Sequence, residues 1–398
     1  MNLVLIILFW VFVGIVFYAY LGYGFILFLL VRIKRLFNKT KAEISDYYPE
    51  VTLLVAAFNE EDYIREKIEN SFSLDYPKDK LKFLFVTDGS DDRTPDIIKE
   101  YPQIDLFHQP ERQGKIAAVE RTMPHVSTEI VVYTDANTAL NVDAIKKIVR
   151  HYADPTVGGV AGEKRIRSKN EDEAIGAGEG IYWKYESQLK KWDSELYSVV
   201  GAAGELFSIR TALFEPVPRD TLIEDFYLTL KLAMQGHRII YEPDAYAEEE
   251  PSASIKEELK RKIRIAAGGI QAIVRLKSLL NPFKYGILSF EYISHRVLRW
   301  TLAPLVLPLI FILNIVLAAQ GLLFYQVILV MQIGFYALAA LGYLLESKKI
   351  RLKAAFVPYY FCIMNYAVYK GFQRFIKGSQ SVLWEKAQRR QLADEAKV

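Results

Sequence analysis

The chain has 398 residues, 52% of them hydrophobic, which is enough for a complete soluble domain together with membrane segments. Its 50 basic and 47 acidic residues leave a net charge of +3, without the large clustered basic footprint of a nucleic-acid binder. The single cysteine, Cys362, excludes an intrachain disulfide, and no repeat of solenoid length is present.

Residues 1–31 carry no charged side chain, whereas about 20 apolar residues already suffice to cross a bilayer. A transmembrane helix is predicted over residues 1–35, since the basic start and small-residue cleavage site of a signal peptide are missing. Arg32, Lys34, Arg35, Lys39 and Lys41 follow at once, and the positive-inside rule puts that end in the cytosol.

Between residues 48 and 275 the pattern changes to short apolar runs alternating with amphipathic stretches. Strands are predicted at Val51–Ala57, Phe83–Thr87 and Ile130–Thr134, with helices starting from Glu60 and Arg93. This is an α/β pattern of βαβ units with a mostly parallel sheet, whose ligands sit beyond the carboxyl ends of the strands. Those ends read Asn59-Glu60, Asp88-Gly89-Ser90-Asp91-Asp92 and Asp135-Ala136-Asn137. Asn59 alone suits a helix cap and the Asp88 run alone suits a turn, but three polar strand ends on one rim describe a site. Alternation along a strand puts Asp135 and Asn137 on one face, as two oxygen donors for a hard cation such as Mg²⁺ or Mn²⁺ carrying phosphates. Arg112-Gln113-Gly114-Lys115 opens a further helix, and a helix N-terminus with a lysine suits a diphosphate.

Downstream, Tyr182, Trp183, Tyr185 and Trp192 follow a glycine-rich stretch and read as core or as acceptor-lining aromatics. Gly201-Ala202-Ala203-Gly204 before a strand at Leu206–Ile209 calls for close backbone approach. Glu224-Asp225 lies in the first turn of a helix, and Lys260, Arg261, Lys262 and Arg264 form a basic cluster. His237 lies in a turn with no metal-ligand spacing nearby and reads as structural.

Residues 276–300 mix apolar residues with Lys277, Lys284, Glu291, His295, Arg296 and Arg299, the composition of an amphipathic helix at a membrane surface. Residues 301–345 are free of charge and fit two transmembrane helices joined near Gln320-Gly321. Within 346–398, Lys348, Lys349, Arg351 and Lys353 belong inside, and the charge-free run Ala354–Tyr369 is short for a span. Crossing there would leave Arg374, Lys377, Lys386, Arg389 and Arg390 outside. An interfacial or re-entrant helix with a basic cytosolic tail is therefore preferred to a fourth span.

The motifs AAFNEE, TDGSDD, RQGKIAAV and YTDAN, in this order, resemble the nucleotide-binding half of inverting family 2 glycosyltransferases with the GT-A fold. The resemblance continues through GEGIYWKYE, GAAGELFSIR, IEDFYLTLKLAMQGHRIIYEPDA and KRKIRIAAGG, and the membrane layout is similar to bacterial cellulose-synthase-like enzymes. It implies a nucleotide and donor site at Asn59, Glu60, Asp88, Gly89, Lys115 and Asp135, with Asp135 and Asn137 holding Mg²⁺ or Mn²⁺. It further implies Asp225 as catalytic base with Glu224 beside it, Arg264 on the diphosphate, and Gly204, Glu205 and Trp183 toward the acceptor. Ala56 replaces a common proline, and Asn137 replaces an aspartate. The Gln-x-x-Arg-Trp motif reads Arg261-Lys262-Ile263-Arg264-Ile265, without the glutamine or the tryptophan, which argues against processive addition.

The resemblance thus implies transfer of a sugar from a nucleotide-diphosphate donor, a UDP-sugar, to a glycan or lipid-linked acceptor in surface or exopolysaccharide synthesis. The catalytic domain would face the cytosol from a bacterial inner membrane. The alternative is an inactive membrane scaffold of the same shape, against which the joint presence of Asp88, Asp135 and Asp225 speaks. A transporter is disfavoured because the apolar stretches 1–31 and 301–345 contain no charged residue of the kind that marks an ion pathway.

Overall fold

The computed structural model describes residues 2–37, 47–167, 176–252, 254–347, 352–378 and 381. Lys39, Lys41, Lys348, Lys349, Arg351, Lys386, Arg389 and Arg390, which entered the topology expectation, lie outside the described residues. Helix α1 (Asn2–Phe17) runs through a single π turn, Tyr18–Gly22, into α2 (Tyr23–Phe37). Together they make Leu3–Phe37 long and apolar enough to cross a membrane.

The chain then builds one half of a sheet by strict alternation. Its elements are β1 (Val51–Ala57), α3 (Ile64–Phe72), β2 (Leu81–Asp88), α4 (Thr94–Lys99), β3 (Ile104–Gln109), α5 (Lys115–Thr122) and β4 (Ile130–Asp135). These strands pair in parallel in the order β3-β2-β1-β4. Every residue of β1 is buried, as expected for a strand covered on both faces. Leu54, Val86 and Val131 enter one apolar cluster while Leu53, Val55, Phe85 and Val132 enter the other, the period-two split of a two-faced strand. Each fully buried side chain of this kind contributes roughly 1.5–3 kcal/mol. The register sets Ala57 opposite Thr87 and Ala56 opposite Asp135, so the three polar strand ends emerge level on one rim.

The second half is mixed. A turn at Ala136-Asn137 leads into β5 (Thr138–Leu140), followed by α6 (Ala144–Val149), β6 (Val157–Ile166), α7 (Gly176–Leu196), β7 (Leu206–Arg210), α8 (Glu224–Met234) and β8 (Arg238–Glu249). β7 lies antiparallel between β4 and β6, β6 pairs in parallel with β8, and β5 closes the edge antiparallel to β8. The expected parallel character therefore holds for the first half and gives way beyond β4. Helix α3 begins at Ile64, not at Glu60, because Glu60 belongs to the turn that leaves β1.

Helix α9 (Ile255–Arg275) is capped by Ser254, whose side chain accepts from the Glu257 amide. After it come α10 (Pro282–Tyr285) and α11 (Ile287–Tyr292), which passes through a π turn, Ile293–Val297, into α12 (Leu298–Trp300). The polar residues that made this stretch look amphipathic turn inward. Glu291, His295 and Arg299 are buried, and the His295 ring nitrogens lie 2.5 Å from Asp193 and 3.1 Å from Glu186, both on α7. Arg296 and Arg299 also pair with Glu186, and the Tyr23 hydroxyl of α2 donates to Asp193. Lys277 and Lys284 stay exposed.

Helices α13 (Leu302–Ala319) and α14 (Leu323–Ser347) supply the other two segments long and apolar enough to cross a membrane, Leu302–Ala319 and Leu323–Leu345. The final helix, α15 (Lys353–Lys377), packs along both α9 and α14. Small residues permit that approach: a Cβ on Gly371 would come 2.6 Å from Cβ of Ala266.

Candidate active site

β4 ends at Asp135, and the first residues of α5 and α8 are Lys115 and Glu224. These three meet. The Lys115 ammonium lies 2.9 Å from Oδ1 of Asp135 and 3.0 Å from Oε1 of Glu224. Asp225 joins them across Gly204, where an added Cβ would stand 3.3 Å from Lys115 Nζ and 3.4 Å from Asp225 Oδ2. Residues far apart in the chain thus cluster at one point, where two helix N-termini also direct their positive ends.

The electrostatics separate the two neighbouring carboxyls. Burial, then the adjacent Glu224, push Asp225 up to about 7 against the pull of Lys115. Glu224 moves the other way: burial opposes ionisation, but Lys115 and the more distant Arg264 hold it below its ordinary value. Asp135 is raised, by burial first, with Lys115 resisting and Glu205 and Glu224 adding. A carboxyl poised near neutrality beside one held ionised is the arrangement of a general base and its electrostatic neighbour.

Asn59, Glu60, Asp88 and Gly89 occupy the expected rim, but much of their bonding is internal. Asp88 is only 4% exposed, and its Oδ2 accepts from the amides of Gln113 at 2.9 Å and Gly114 at 2.6 Å. Its Oδ1 accepts from Arg121 at 2.9 Å. Asp88 therefore shapes the turn that delivers Lys115. Gly89 has φ 69°, and a Cβ there would stand 2.4 Å from that of Arg112, so this turn demands glycine. Asn59, also at positive φ, exchanges two hydrogen bonds with Asp91, and the Glu60 amide donates to Thr94. The Arg112 guanidinium stacks 3.7 Å from the centroid of Phe58, a pair that sequence reading passed over.

Asn137 is not beside Asp135 on a strand face. The strand stops at Asp135, the chain turns at 136–137, and Asn137 lines a crevice with Tyr63, Glu66, Arg167 and Glu250. No group of three or more His, Cys, Asp or Glu side chains is disposed for a metal ion among the described residues. Neither Asp135 Oδ2 nor the Asn137 amide has a hydrogen-bond partner there, so both retain an oxygen free to bind.

Arg264 reaches the Leu222 carbonyl with one Nη at 3.4 Å, while its Nε is buried with no hydrogen-bond partner among the described residues. A buried orphan N–H is costly unless a ligand satisfies it. Glu205 is tied into an ion network: Lys164 bridges it, at 2.5 Å, to Glu249, and Arg261 lies 3.6 Å from both carboxylates and 3.0 Å from Glu258. Trp183 carries the Lys262 ammonium 4.8 Å from its ring. Of the three acceptor candidates, Gly204 lies directly beside Lys115 and Asp225, whereas Glu205 and Trp183 are engaged with α9.

A mixed sheet whose parallel half hands a carboxylate, a lysine and a helix-borne acid pair to one rim is the architecture of a GT-A glycosyltransferase. Residues 52–217 match the family described as Glycosyl transferase family 2, and the chain carries a domain of that family. Among its relatives, the poly-beta-1,6-N-acetyl-D-glucosamine synthase of Staphylococcus aureus is 28% identical over 284 residues, covering 68% of each chain. The beta-monoglucosyldiacylglycerol synthase of a Synechocystis strain is 30% identical over 241 residues, 56% of this chain and 48% of that one. A solved structure of the mannosyltransferase PcManGT from Pyrobaculum calidifontis, in complex with GDP-Man and Mn²⁺, superposes with a TM-score of 0.70 at 25% identity. It covers 94% of this chain and 100% of that one.

Proposed function

We propose that this glycosyltransferase moves a sugar, with inversion, from a nucleoside-diphosphate sugar to a glycan or lipid-linked acceptor at the membrane face. The observation that carries the reading is the meeting of Lys115, Asp135 and Glu224, with Asp225 beside them across Gly204. Asp225 takes the proton of the acceptor hydroxyl as that oxygen attacks the anomeric carbon. Lys115 and Arg264 offset the charge that grows on the departing diphosphate, and the unpartnered Nε of Arg264 fits a phosphate oxygen. Asp135 and Asn137, each with a free oxygen, would hold a divalent ion, Mg²⁺ or Mn²⁺, as the presence of Mn²⁺ in the mannosyltransferase structure supports. Such ions are commonly held by one or two protein ligands plus substrate phosphates. When bound, the ion supplies charge neutralisation at the diphosphate.

The catalytic domain of this reading spans 48–275 and faces the cytosol, as the basic flank Arg32, Lys34 and Arg35 supports; in a bacterium the membrane is the inner one. Single addition is preferred to processive synthesis because Ile265 offers no aromatic face to an acceptor sugar. The family resemblance implies a UDP-sugar. The GDP-Man in the mannosyltransferase makes a GDP-sugar the second reading.

Incubating the purified full chain with UDP- and GDP-sugars, Mg²⁺ or Mn²⁺, and membrane lipid, and measuring free nucleoside diphosphate and glycosylated product, tests the reading. Metal-dependent release that stops on chelation is expected. No release from any donor would leave the scaffold reading in its place.

A further inference from the structure

Helix α3 turns Ile64, Lys67, Ile68 and Ser71 inward, the i, i+3, i+4, i+7 stripe of a core-facing helix. Three of these suit a core. Lys67 does not: it is 1% exposed, and no carboxylate pairs with it among the described residues. A methionine of similar length would fill the same space without the desolvation cost of a buried cation. What the ammonium finds instead is a set of oxygens, all from one turn. It donates to Thr134 Oγ1 at 2.9 Å, to the Thr138 carbonyl at 2.9 Å and to Thr138 Oγ1 at 3.3 Å. Those two threonines bracket Asp135-Ala136-Asn137.

The direction of these bonds extends the effect. An ammonium only donates, so each hydroxyl it meets is left to give its own proton elsewhere. Thr138 gives its proton to the Asp135 carbonyl at 2.8 Å, which closes the turn on itself. Thr134 gives its proton to the Glu205 carbonyl at 2.9 Å, which fastens the loop carrying Gly204 to the same point. Both the strand end that bears Asp135 and the loop opposite it are thereby held from behind by one buried side chain.

We propose that Lys67 is a positioning residue that fixes the Asp135–Asn137 turn and, through Thr134, the Gly204-Glu205 loop, so that affinity for a metal–nucleoside diphosphate is set from α3. This rests on the metal and donor reading given above. Partners that orient a ligating side chain without touching the ion commonly change metal affinity by about 10- to 100-fold when removed.

The test is binding, independent of turnover. Free Mn²⁺ is counted by electron paramagnetic resonance while the full-length protein is titrated with Mn²⁺ in the presence of UDP and, separately, GDP. Lys67→Met is expected to weaken Mn²⁺–nucleotide binding about tenfold or more, and amide exchange over residues 135–138 of the metal-free protein should quicken. Thr138→Val keeps the lysine and removes one hydroxyl of the clamp; a smaller weakening in the same sense is expected. Folded Lys67→Met protein with wild-type Mn²⁺–nucleotide affinity overturns the inference, and where that variant does not fold, unchanged affinity in Thr138→Val does so. Wild-type protein that binds neither Mn²⁺–UDP nor Mn²⁺–GDP overturns the donor reading itself, and this inference with it.

Discussion

The ammonium of Lys115 stands 3.0 Å from the carboxylate of Glu224, each residue being the first of its helix. Asp135 approaches the same ammonium from the sheet, so a single cation separates two carboxylates that would otherwise repel. Lys115→Met is expected to weaken nucleoside-diphosphate binding about tenfold or more and to cost roughly 1–3 kcal/mol in stability. Isothermal titration with nucleoside diphosphate and urea denaturation measure the two effects. Unchanged nucleotide affinity would mean that the lysine serves only the fold.

Asp225→Asn keeps the shape of the side chain and removes its capacity to accept a proton. Transfer should fall by about 10² to 10⁴-fold, the usual worth of a positioned base, while nucleotide affinity stays within about threefold. Product formation and nucleotide titration on the same preparation give both numbers. Normal turnover by this variant would reassign the base.

The raised position of Asp225 fixes the sense of the pH dependence. Only the ionised carboxyl accepts a proton, so kcat/KM should decline about tenfold per pH unit below about 7 and level off above it. Glu224→Gln removes the second contributor to the shift, the neighbouring negative charge, and should move the acid limb of the profile to lower pH. A limb displaced to higher pH would contradict the coupling between the two side chains.

Asp88 holds the Gln113 and Gly114 amides with one oxygen and Arg121 with the other. Asp88→Asn leaves an amide nitrogen facing either N–H donors or a guanidinium. A loss of roughly 1–3 kcal/mol is expected from the mismatched buried group. Nucleotide affinity should drop with it, because the turn delivers Lys115, and amide exchange at Gln113 and Gly114 should accelerate. Thermal unfolding and exchange measured together separate this role from direct contact with a nucleoside, which would leave both amides protected.

The strands legible in the sequence are those that are apolar throughout and end in a polar cluster: β1, β2, β4 and β7. β3 alternates poorly because it sits at the sheet edge, half-buried, and β6 hides behind three glycines and a charged end. The antiparallel insertion of β7 leaves no trace in its residues, since an apolar run carries no direction. Of the site, Lys115, Asp135, Glu224, Asp225 and Gly204 lie together as their motifs suggested. The engagement of Asp88 depends on the path of the 112–114 backbone, which residue types do not encode. Lys67 is visible as the one charge on an apolar stripe, but its partners follow from the β4–β5 turn. The inward-facing Glu291, His295 and Arg299 look surface-bound until α7 supplies Asp193 and Glu186.

Helix α9 carries Arg261 and Arg264 and, immediately after them, Ala266 and Ala267, against which Gly371 of the last helix is pressed. The arginine assigned to the leaving group is therefore seated by a part of the chain that lies more than ninety residues beyond the nucleotide fold. A soluble fragment trimmed after Arg275 would uncover that alanine face to water and release the helix from its backing. Such a fragment would be a poor stand-in for the whole protein in assays of donor cleavage, even if its sheet remained intact.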